Sequence, residues 1–398
     1  RNLIEGSVII KNCVLPAFIM RGVQEYKMRR IIMSTNESRI NVTKSSMPPF
    51  EEYMEELKPV WDSRWLSNRG AASVKFEDML KSYLGTDHMY LFANGHVALE
   101  VALNSLYLEG EVITTAYTHC STTHAIVRNG LKPVFVDIKE DDYTINPELI
   151  EEKITDKTVA IVATHVYGFL CDDDAISKIA KKYNLMVIYD AAHAFGVTKG
   201  GIGAANFGDA AMFSTHATKA FHTIEGGIVC YKDKERFRAM SKLVNFGFTS
   251  QEDIDYVGTN ARMNEFEAVM GICNLHHIDE EIAKRKAAGD RYYERLSGKK
   301  GIILNQIPDD MKWNYAYFPV VFDGFKSRDQ VKAELEKYNI FARKYFYPIT
   351  NRAACYADTY GNVKLPVSEH IADHVLTLPM YADLTVEEVD RICDVILC

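Results

Sequence analysis

Leu185-Met-Val-Ile-Tyr-Asp-Ala-Ala-His193 is the stretch on which the fold turns. An unbroken run of apolar and aromatic residues ends in an acid and two alanines. It reads as a strand buried on both faces that leaves its sheet at Asp190. The same rhythm recurs upstream in Glu111-Val-Ile-Thr-Thr115, Pro133-Val-Phe-Val-Asp137 and Val159 to Thr164. Helix-like stretches, Gly95 to Tyr107, Ser121 to Arg128 and Asp174 to Tyr183, alternate with these runs. Apolar strands separated by helices predict a mostly parallel sheet covered on both faces, a three-layer α/β/α domain. Ligands of such sheets gather at the carboxyl ends of the strands, where Asp190 lies.

Downstream, a long helical pattern from Asn264 to Leu296 has a charged second half and reads as a connector. Beyond it the pattern gives a strand (Tyr315 to Phe322), a helix (Asp329 to Tyr338), a strand (Ile340 to Phe346) and a final helix (Thr385 to Leu397). These predict a smaller α/β domain. The expected organisation is an accessory or disordered extension over 1–38, a large domain over 39–275 and a small C-terminal domain over 276–398. The apolar run Val8 to Met20 is interrupted by Lys11, Asn12 and Pro16, unlike a secretory signal. Gly200-Gly201-Ile202-Gly203 lacks the spacing of a dinucleotide fingerprint and is read as a hairpin turn.

With 398 residues, 47% of them hydrophobic, the chain can bury a large core in two domains. A formal net charge of −8 argues against a nucleic-acid surface, which needs a basic stripe. There is no apolar run long enough for a membrane span. The cysteines, at 13, 120, 171, 230, 273, 355, 393 and 398, form no CxxC pair and read as reduced thiols of a cytoplasmic protein. No HExxH or Cys/His cluster suggests a metal.

The chemistry concentrates in three places. Asp190 ends a strand; alone it reads equally well as a turn or cap residue. In Phe213-Ser-Thr-His-Ala-Thr-Lys219, Lys219 stands amid small and polar residues ahead of Glu225-Gly-Gly227 and a new strand. Most lysines are solvated surface groups, but one in a polar cleft can form a Schiff base with a carbonyl. Taken together the two are sharper. A pyridoxal cofactor needs a lysine for its aldehyde and a carboxylate that keeps its ring nitrogen protonated. The third place is Phe92-Ala-Asn-Gly-His96, where a strand passes into a helix whose first N–H groups suit a phosphate. The Ser214 hydroxyl is a candidate to join them.

These residues, with Ile40-Asn-Val-Thr-Lys44, Trp61-Asp-Ser-Arg-Trp-Leu66, Val166-Tyr-Gly168, Gly258-Thr-Asn-Ala-Arg-Met263 and Arg343-Lys-Tyr-Phe-Tyr-Pro348, give the chain its likeness to a known group. From about Arg39 to the C-terminus it resembles the DegT/StrS-type sugar aminotransferases, fold-type I enzymes dependent on pyridoxal 5'-phosphate (PLP). The resemblance implies that Lys219 carries the cofactor and shuttles the proton, while Asp190 pairs with the ring nitrogen. It puts His193 near the phenolic oxygen, where a packed strand-end histidine is the alternative. It assigns the phosphate to Ser214 and the Gly95 and His96 amides, and Asn260 to the cofactor phosphate of a partner subunit. It therefore implies a homodimer with shared sites. Arg343 and Tyr345 to Tyr347 become candidates for the sugar nucleotide; core packing is the alternative for these aromatics.

Two positions depart from the family. His96 stands where Thr is usual, and His119 where an aromatic ring usually covers the pyridine. Lys219 itself separates the chain from relatives that carry His there and remove a hydroxyl instead. The reaction implied is ping-pong, with L-glutamate as donor and pyridoxamine phosphate between the half-reactions. Tyr189 to Gly196, Phe221 to Gly227 and Lys344 to Pro348 are similar to the dTDP-4-amino-4,6-dideoxyglucose transaminase branch, which makes dTDP-4-keto-6-deoxyglucose the expected acceptor. A 3-keto, UDP- or GDP-linked sugar, a cyclic precursor, and a regulatory homologue without turnover are the competing expectations.

Overall fold

The computed structural model describes residues 38–398 with the exception of Phe325. The expected extension, Ser38 apart, and Cys13 lie outside the described residues. Residues 40–398 form one compact unit.

Helices α1 (Phe50–Ser63) and α2 (Ala71–Leu84) lead into strand β1 (Met89–Phe92), α3 (Gly95–Asn104), β2 (Glu111–Thr115), α4 (Cys120–Arg128) and β3 (Lys132–Val136). Then come β4 (Thr158–Thr164), α5 (Asp173–Tyr183), β5 (Met186–Asp190), the short strands β6 (Thr198–Lys199) and β7 (Ile202–Gly203), β8 (Ala210–Ser214) and β9 (Gly227–Tyr231). The chain continues through α6 (Lys234–Leu243), α7 (Glu265–Leu296), β10 (Ile302–Ile303), β11 (Met311–Lys312), β12 (Phe318–Phe322) and α8 (Arg328–Lys337). It finishes with α9 (Ala357–Tyr360), α10 (Pro366–His374), β13 (Val375–Leu378) and α11 (Val386–Leu397).

Seven strands form the central sheet in the order β1-β9-β8-β5-β4-β2-β3. The pairs β8–β5, β5–β4, β4–β2 and β2–β3 are parallel, and β9 runs antiparallel to both its neighbours. β5 shows why the run at 185–190 contains no polar alternation. Val187 and Tyr189 enter one apolar core with Phe76 and Leu80 of α2 and Ile272 of α7. Ile188 enters a second core with Leu99 of α3, Ile126 of α4 and Met240 of α6. Successive side chains of a strand face opposite ways, so a sheet between two helical layers needs both kinds of position apolar. Each such buried side chain contributes about 1.5–3 kcal/mol. The predicted mostly parallel α/β/α layering is therefore what the chain adopts.

The Gly200–Gly201 reading also holds. Thr198–Lys199 pairs antiparallel with Ile202–Gly203, and both intervening glycines have positive φ (56° and 80°), as a two-residue hairpin turn requires.

Helix α7 is continuous for 32 residues and starts at a capping box between Asn264 and Glu267. The expected change of domain at 275/276 falls within it. Its first residue, Glu265, is fully buried. The carboxylate accepts N–H bonds from Gly70 (2.9 Å), Ala72 (2.9 Å) and Ser73 (3.2 Å), plus the Ser73 hydroxyl. A negative charge thus satisfies the orphan donors at the start of α2 and pins that helix to α7. Glu265→Gln should lower the free energy of unfolding by about 1.5–3 kcal/mol, the worth of hydrogen bonds to a charged group. Urea denaturation with an unchanged midpoint would contradict this.

In the C-terminal part, β10, β12 and β13 make a three-stranded antiparallel sheet. The strand expected over Ile340–Phe346 is absent. Ile340 makes a single bridge to Ile40 and Arg343 one to Thr377. The place beside β12 is already taken by β13, and Tyr345 and Phe346 turn into a cavity instead. Their apolar character reflects a cavity wall, which a hydropathy pattern cannot distinguish from a strand.

Candidate active site

β1, β2, β4, β5 and β8 all point the same way, so the loops at their carboxyl ends converge. They enclose a cavity of about 370 Å³. Asn94, Gly95 and His96 line it after β1, Thr118 and His119 after β2, Thr164 at the end of β4, Asp190 and His193 after β5, and Ser214 and Lys219 after β8. Strand-end geometry thus gathers residues that lie far apart in sequence.

Asp190 is 3% exposed. Its Oδ1 accepts the Ala192 N–H (3.1 Å) and its Oδ2 the Thr122 hydroxyl (2.6 Å). Thr122 spends its proton on the carboxylate, so the 2.9 Å contact between Thr118 and Thr122 must be donated by Thr118. Thr164, 2.9 Å from Thr118, donates in turn. Three hydroxyl dipoles thus point, one behind the other, toward Asp190. Among the described residues Asp190 makes no ion pair. A buried carboxylate on a cavity wall with only neutral donors is suited to a cationic ring N–H.

Lys219 lies in the loop from β8 to β9. That loop is pinned by Thr215 N–H to Gly226 (2.9 Å), Ala217 N–H to Ile224 (2.7 Å) and Thr223 N–H to Thr215 (2.8 Å). Lys219 Nζ lies 3.4 Å from the Tyr317 hydroxyl and 5.6 Å from the centre of that ring.

His193 is buried, and its Nδ1 accepts the N–H of Tyr167 at 3.0 Å. That bond leaves the proton of the neutral ring on Nε2. Burial, then the positive charges of Lys219 and His119, hold its pKa well below the usual imidazole range. The ring stands edge-on to Tyr317 at 4.8 Å and parallel to Phe346 at 5.9 Å. His193 is therefore a fixed neutral donor, packed and oriented at once.

The glycine after Asn94 is required by packing. A Cβ on Gly95 would lie 2.8 Å from Ser214 Cβ and 3.1 Å from its hydroxyl oxygen. Only glycine lets α3 begin against the end of β8. Asn94 Oδ1 caps the Val97 N–H at 2.9 Å, while the first N–H groups of a helix have no acceptor within it. The positive end of α3 and the Ser214 hydroxyl thus share one corner of the cavity, a suitable cradle for a phosphate.

His119 is held differently from a ring lying flat across the cavity. It is the N-cap of α4, its Nδ1 accepting the Ser121 N–H at 3.2 Å, and it meets Phe346 edge-on at 6.4 Å.

The remaining expected residues divide. Tyr345 lines the main cavity. Arg343 and Tyr347 line an adjoining hollow of about 470 Å³, with Lys332 and Lys344, which shares Thr118, His119, Tyr345 and Phe346 with the first. Asn260 is absent from both. It is exposed, its side-chain oxygen accepting from Arg262 Nε (3.1 Å) and Nη2 (2.9 Å). Sequence reasoning missed Thr118, Thr122, Thr164 and Tyr317, quoted Tyr167 within a motif without a role, and included Phe346 in the candidate run Tyr345 to Tyr347. Tyr317 sat inside a segment read as strand, Thr122 inside a helix pattern, Thr164 at the end of a strand pattern and Thr118 in the connection between two such patterns, so no local signal marked them. His216 and Glu225, 3.5 Å apart on the cavity wall, had been quoted within motifs without a role.

Among the described residues no cluster of His, Cys, Asp and Glu is suited to a metal ion, and no helix is long and apolar enough to cross a membrane. Seven cysteines are free thiols among these residues.

An open, mostly parallel α/β sheet with a strand-end carboxylate, a loop lysine and a helix-end phosphate cradle defines a PLP-binding transferase. Residues 50–397 match the model of the DegT/DnrJ/EryC1/StrS aminotransferase family, and the chain belongs to that family of PLP-dependent sugar aminotransferases. It is 40% identical over 363 residues to a dTDP-4-amino-4,6-dideoxy-D-glucose transaminase of Shigella dysenteriae, covering 90% of this chain and 99% of that one. A GDP-perosamine synthase of Escherichia coli O157:H7 is 31% identical, covering 86% and 93%. Among solved structures, DesI in the presence of its TDP-sugar product superposes with a TM-score of 0.86 at 31% identity, covering 90% and 92%.

Proposed function

We propose that this chain transfers the amino group of L-glutamate to C4 of dTDP-4-keto-6-deoxyglucose, giving dTDP-4-amino-4,6-dideoxyglucose. The observation that carries this reading is the 40% identity to the Shigella transaminase across nearly the whole of both chains. The DesI likeness, with a TDP-sugar product, supports the same nucleotide. The hollow bearing Lys332, Arg343 and Lys344 beside the main cavity suits an anionic nucleotide group. The GDP-perosamine synthase relative supports a second reading, a GDP-linked acceptor.

When bound, PLP serves as an electron sink and carries the amino group between half-reactions as pyridoxamine phosphate. Ser214 and the Gly95 and His96 amides hold its phosphate. Asp190, its oxygens already accepting from Thr122 and the Ala192 amide, would hold the proton on the ring nitrogen. His193 would offer Nε2–H to the phenolic oxygen. Lys219 Nζ would hold the aldehyde and, as a free amine, would take up a proton from the donor's α-carbon and give it back. His119 forms a wall of the cofactor pocket.

The reading includes two domains, 39–275 and 276–398, joined through α7, and a homodimer. Phe50 (69% exposed), Trp61 (68%) and Trp65 (59%) leave apolar surface around α1, and Val257 (95%) does so near Asn260. Such surface is what a second copy would cover, bringing Asn260 within reach of the partner's site.

Purified protein, PLP and L-glutamate, supplied with dTDP-, UDP- and GDP-linked 3- and 4-keto-sugars, test the assignment. Fastest amination of dTDP-4-keto-6-deoxyglucose at C4, read by mass and NMR, is expected. A faster GDP-linked reaction would favour the second reading.

A further inference from the structure

Among the described residues Lys219 Nζ makes one polar contact, the 3.4 Å approach to the Tyr317 hydroxyl, and no ion pair. Two carboxylates face the same cavity, but both are engaged elsewhere. Asp190 accepts from Thr122 and the Ala192 amide, and Glu225 lies 3.5 Å from His216. The lysine is therefore held by a neutral group. A carboxylate in that place would favour an ammonium, which has no lone pair to offer a carbonyl or an α-proton. A hydroxyl suits either form of the side chain, accepting from N–H or donating to a bare lone pair.

Tyr317 is 5% exposed and firmly seated. Trp313 Nε1 donates to the Tyr167 carbonyl (2.9 Å), and Asn314 Nδ2 donates to the carbonyls of His193 and Phe195 (both 2.9 Å). Asn314 Oδ1 accepts the Ala316 N–H at 3.0 Å. These bonds tie the segment entering β12 to the loop that follows Asp190. The Tyr317 ring then stands edge-on to His193 (4.8 Å), Tyr345 (5.7 Å) and Tyr167 (6.1 Å). A clamped backbone and three rings hold the hydroxyl in place. Lysine brings a flexible four-carbon stem, so a fixed partner is what gives Nζ a defined position.

We propose that Tyr317 is a positioning residue for Lys219: its hydroxyl holds the free Nζ at the cavity wall, aligned for the aldehyde and for the donor's α-proton. This rests on the PLP reading of the cavity. Tyr317 comes from the C-terminal part of the chain and Lys219 from the loop between β8 and β9. The segment 313–317 thus brings the C-terminal part into contact with the reacting amine. The net worth of one hydrogen bond corresponds to about twofold to tenfold in rate.

Tyr317→Phe keeps the ring and removes the oxygen. Cofactor-free protein is treated with trace acetic anhydride, and acetylation of Lys219 is read by peptide mapping relative to the exposed Lys157. Losing the hydrogen bond, whichever group donates it, releases Nζ, so Lys219 should label about twofold to tenfold faster in the variant. In PLP-loaded protein, the single-turnover reaction with L-glutamate should slow by a similar factor at unchanged apparent affinity for glutamate. Glutamate deuterated at the α-carbon should show a larger isotope effect than in wild type, because proton transfer is the step that loses its aligned base. Unchanged labelling overturns the inference even where turnover falls, since the hydroxyl then acts on something other than the lysine. Unchanged rate and isotope effect overturn it equally. Both results leave the PLP reading standing. Wild-type protein that fails to attach PLP at Lys219 overturns that reading and the inference with it.

Discussion

Lys219→Ala should lower the rate of transamination by about 10⁴-fold, the upper end of the scale associated with loss of a general acid–base group. The folded state should persist. Lys219 is a half-buried side chain in a loop held by backbone bonds that the substitution leaves intact, and its polar contact is one 3.4 Å approach to Tyr317. Three measurements follow: turnover with glutamate, the visible spectrum on adding PLP, and the thermal midpoint. Wild-type protein should turn yellow and, after borohydride reduction, carry the label on the peptide containing Lys219. The variant should bind PLP without covalent attachment. Label on another lysine, or turnover within tenfold of wild type, would refute the assignment.

Asp190→Asn should be nearly as severe, at about 10²–10⁴-fold. Asparagine keeps the size and one acceptor but loses the charge. Removing one partner of a buried charge pair costs about 3–5 kcal/mol, and each 1.36 kcal/mol is tenfold in rate. The Thr122 hydroxyl, 2.6 Å from Oδ2, can turn to suit an amide, so the fold should tolerate the change. The loss should appear in the chemical step: single-turnover rates fall while the tether to Lys219 still forms. If single-turnover rates were unchanged, Asp190 would be a structural strand-end residue, the plain alternative its sequence allowed.

These predictions rest on residues legible before any coordinates. Asp190 stands at the end of an apolar run and Lys219 before a glycine pair, and both signals are local. Helix starts were also legible: the helices read from Gly95, Asn264 and Thr385 begin where Asn94, Asn264 and Thr385 accept a backbone N–H, a local interaction. Side chains supporting the site from other elements were not legible. Thr122 is 68 residues from Asp190, and Tyr317 is 98 from Lys219. Nothing in their neighbourhoods differs from ordinary helix or strand.

The division of the candidate substrate residues likewise needed coordinates. Arg343-Lys-Tyr-Phe-Tyr347 reads as one segment, yet Tyr345 faces the main cavity while Arg343 and Tyr347 line the neighbouring hollow. The same segment was expected to be a strand, and fails to be one because β13 occupies the position beside β12.

The amino-acid order by itself determined the alternation of strands and helices, the burial of β5 on both faces, and the lysine–carboxylate pair. Each depends on side-chain periodicity or a short turn, interactions a few residues in range. Only the tertiary structure decided how the polar groups of the site are oriented: the hydroxyl dipoles on Asp190 and the Tyr167 amide that sends the proton of His193 to Nε2. Those states depend on burial and on donors supplied by distant segments. Strand order and loop closure bring such donors together, and neither leaves a local trace in the sequence.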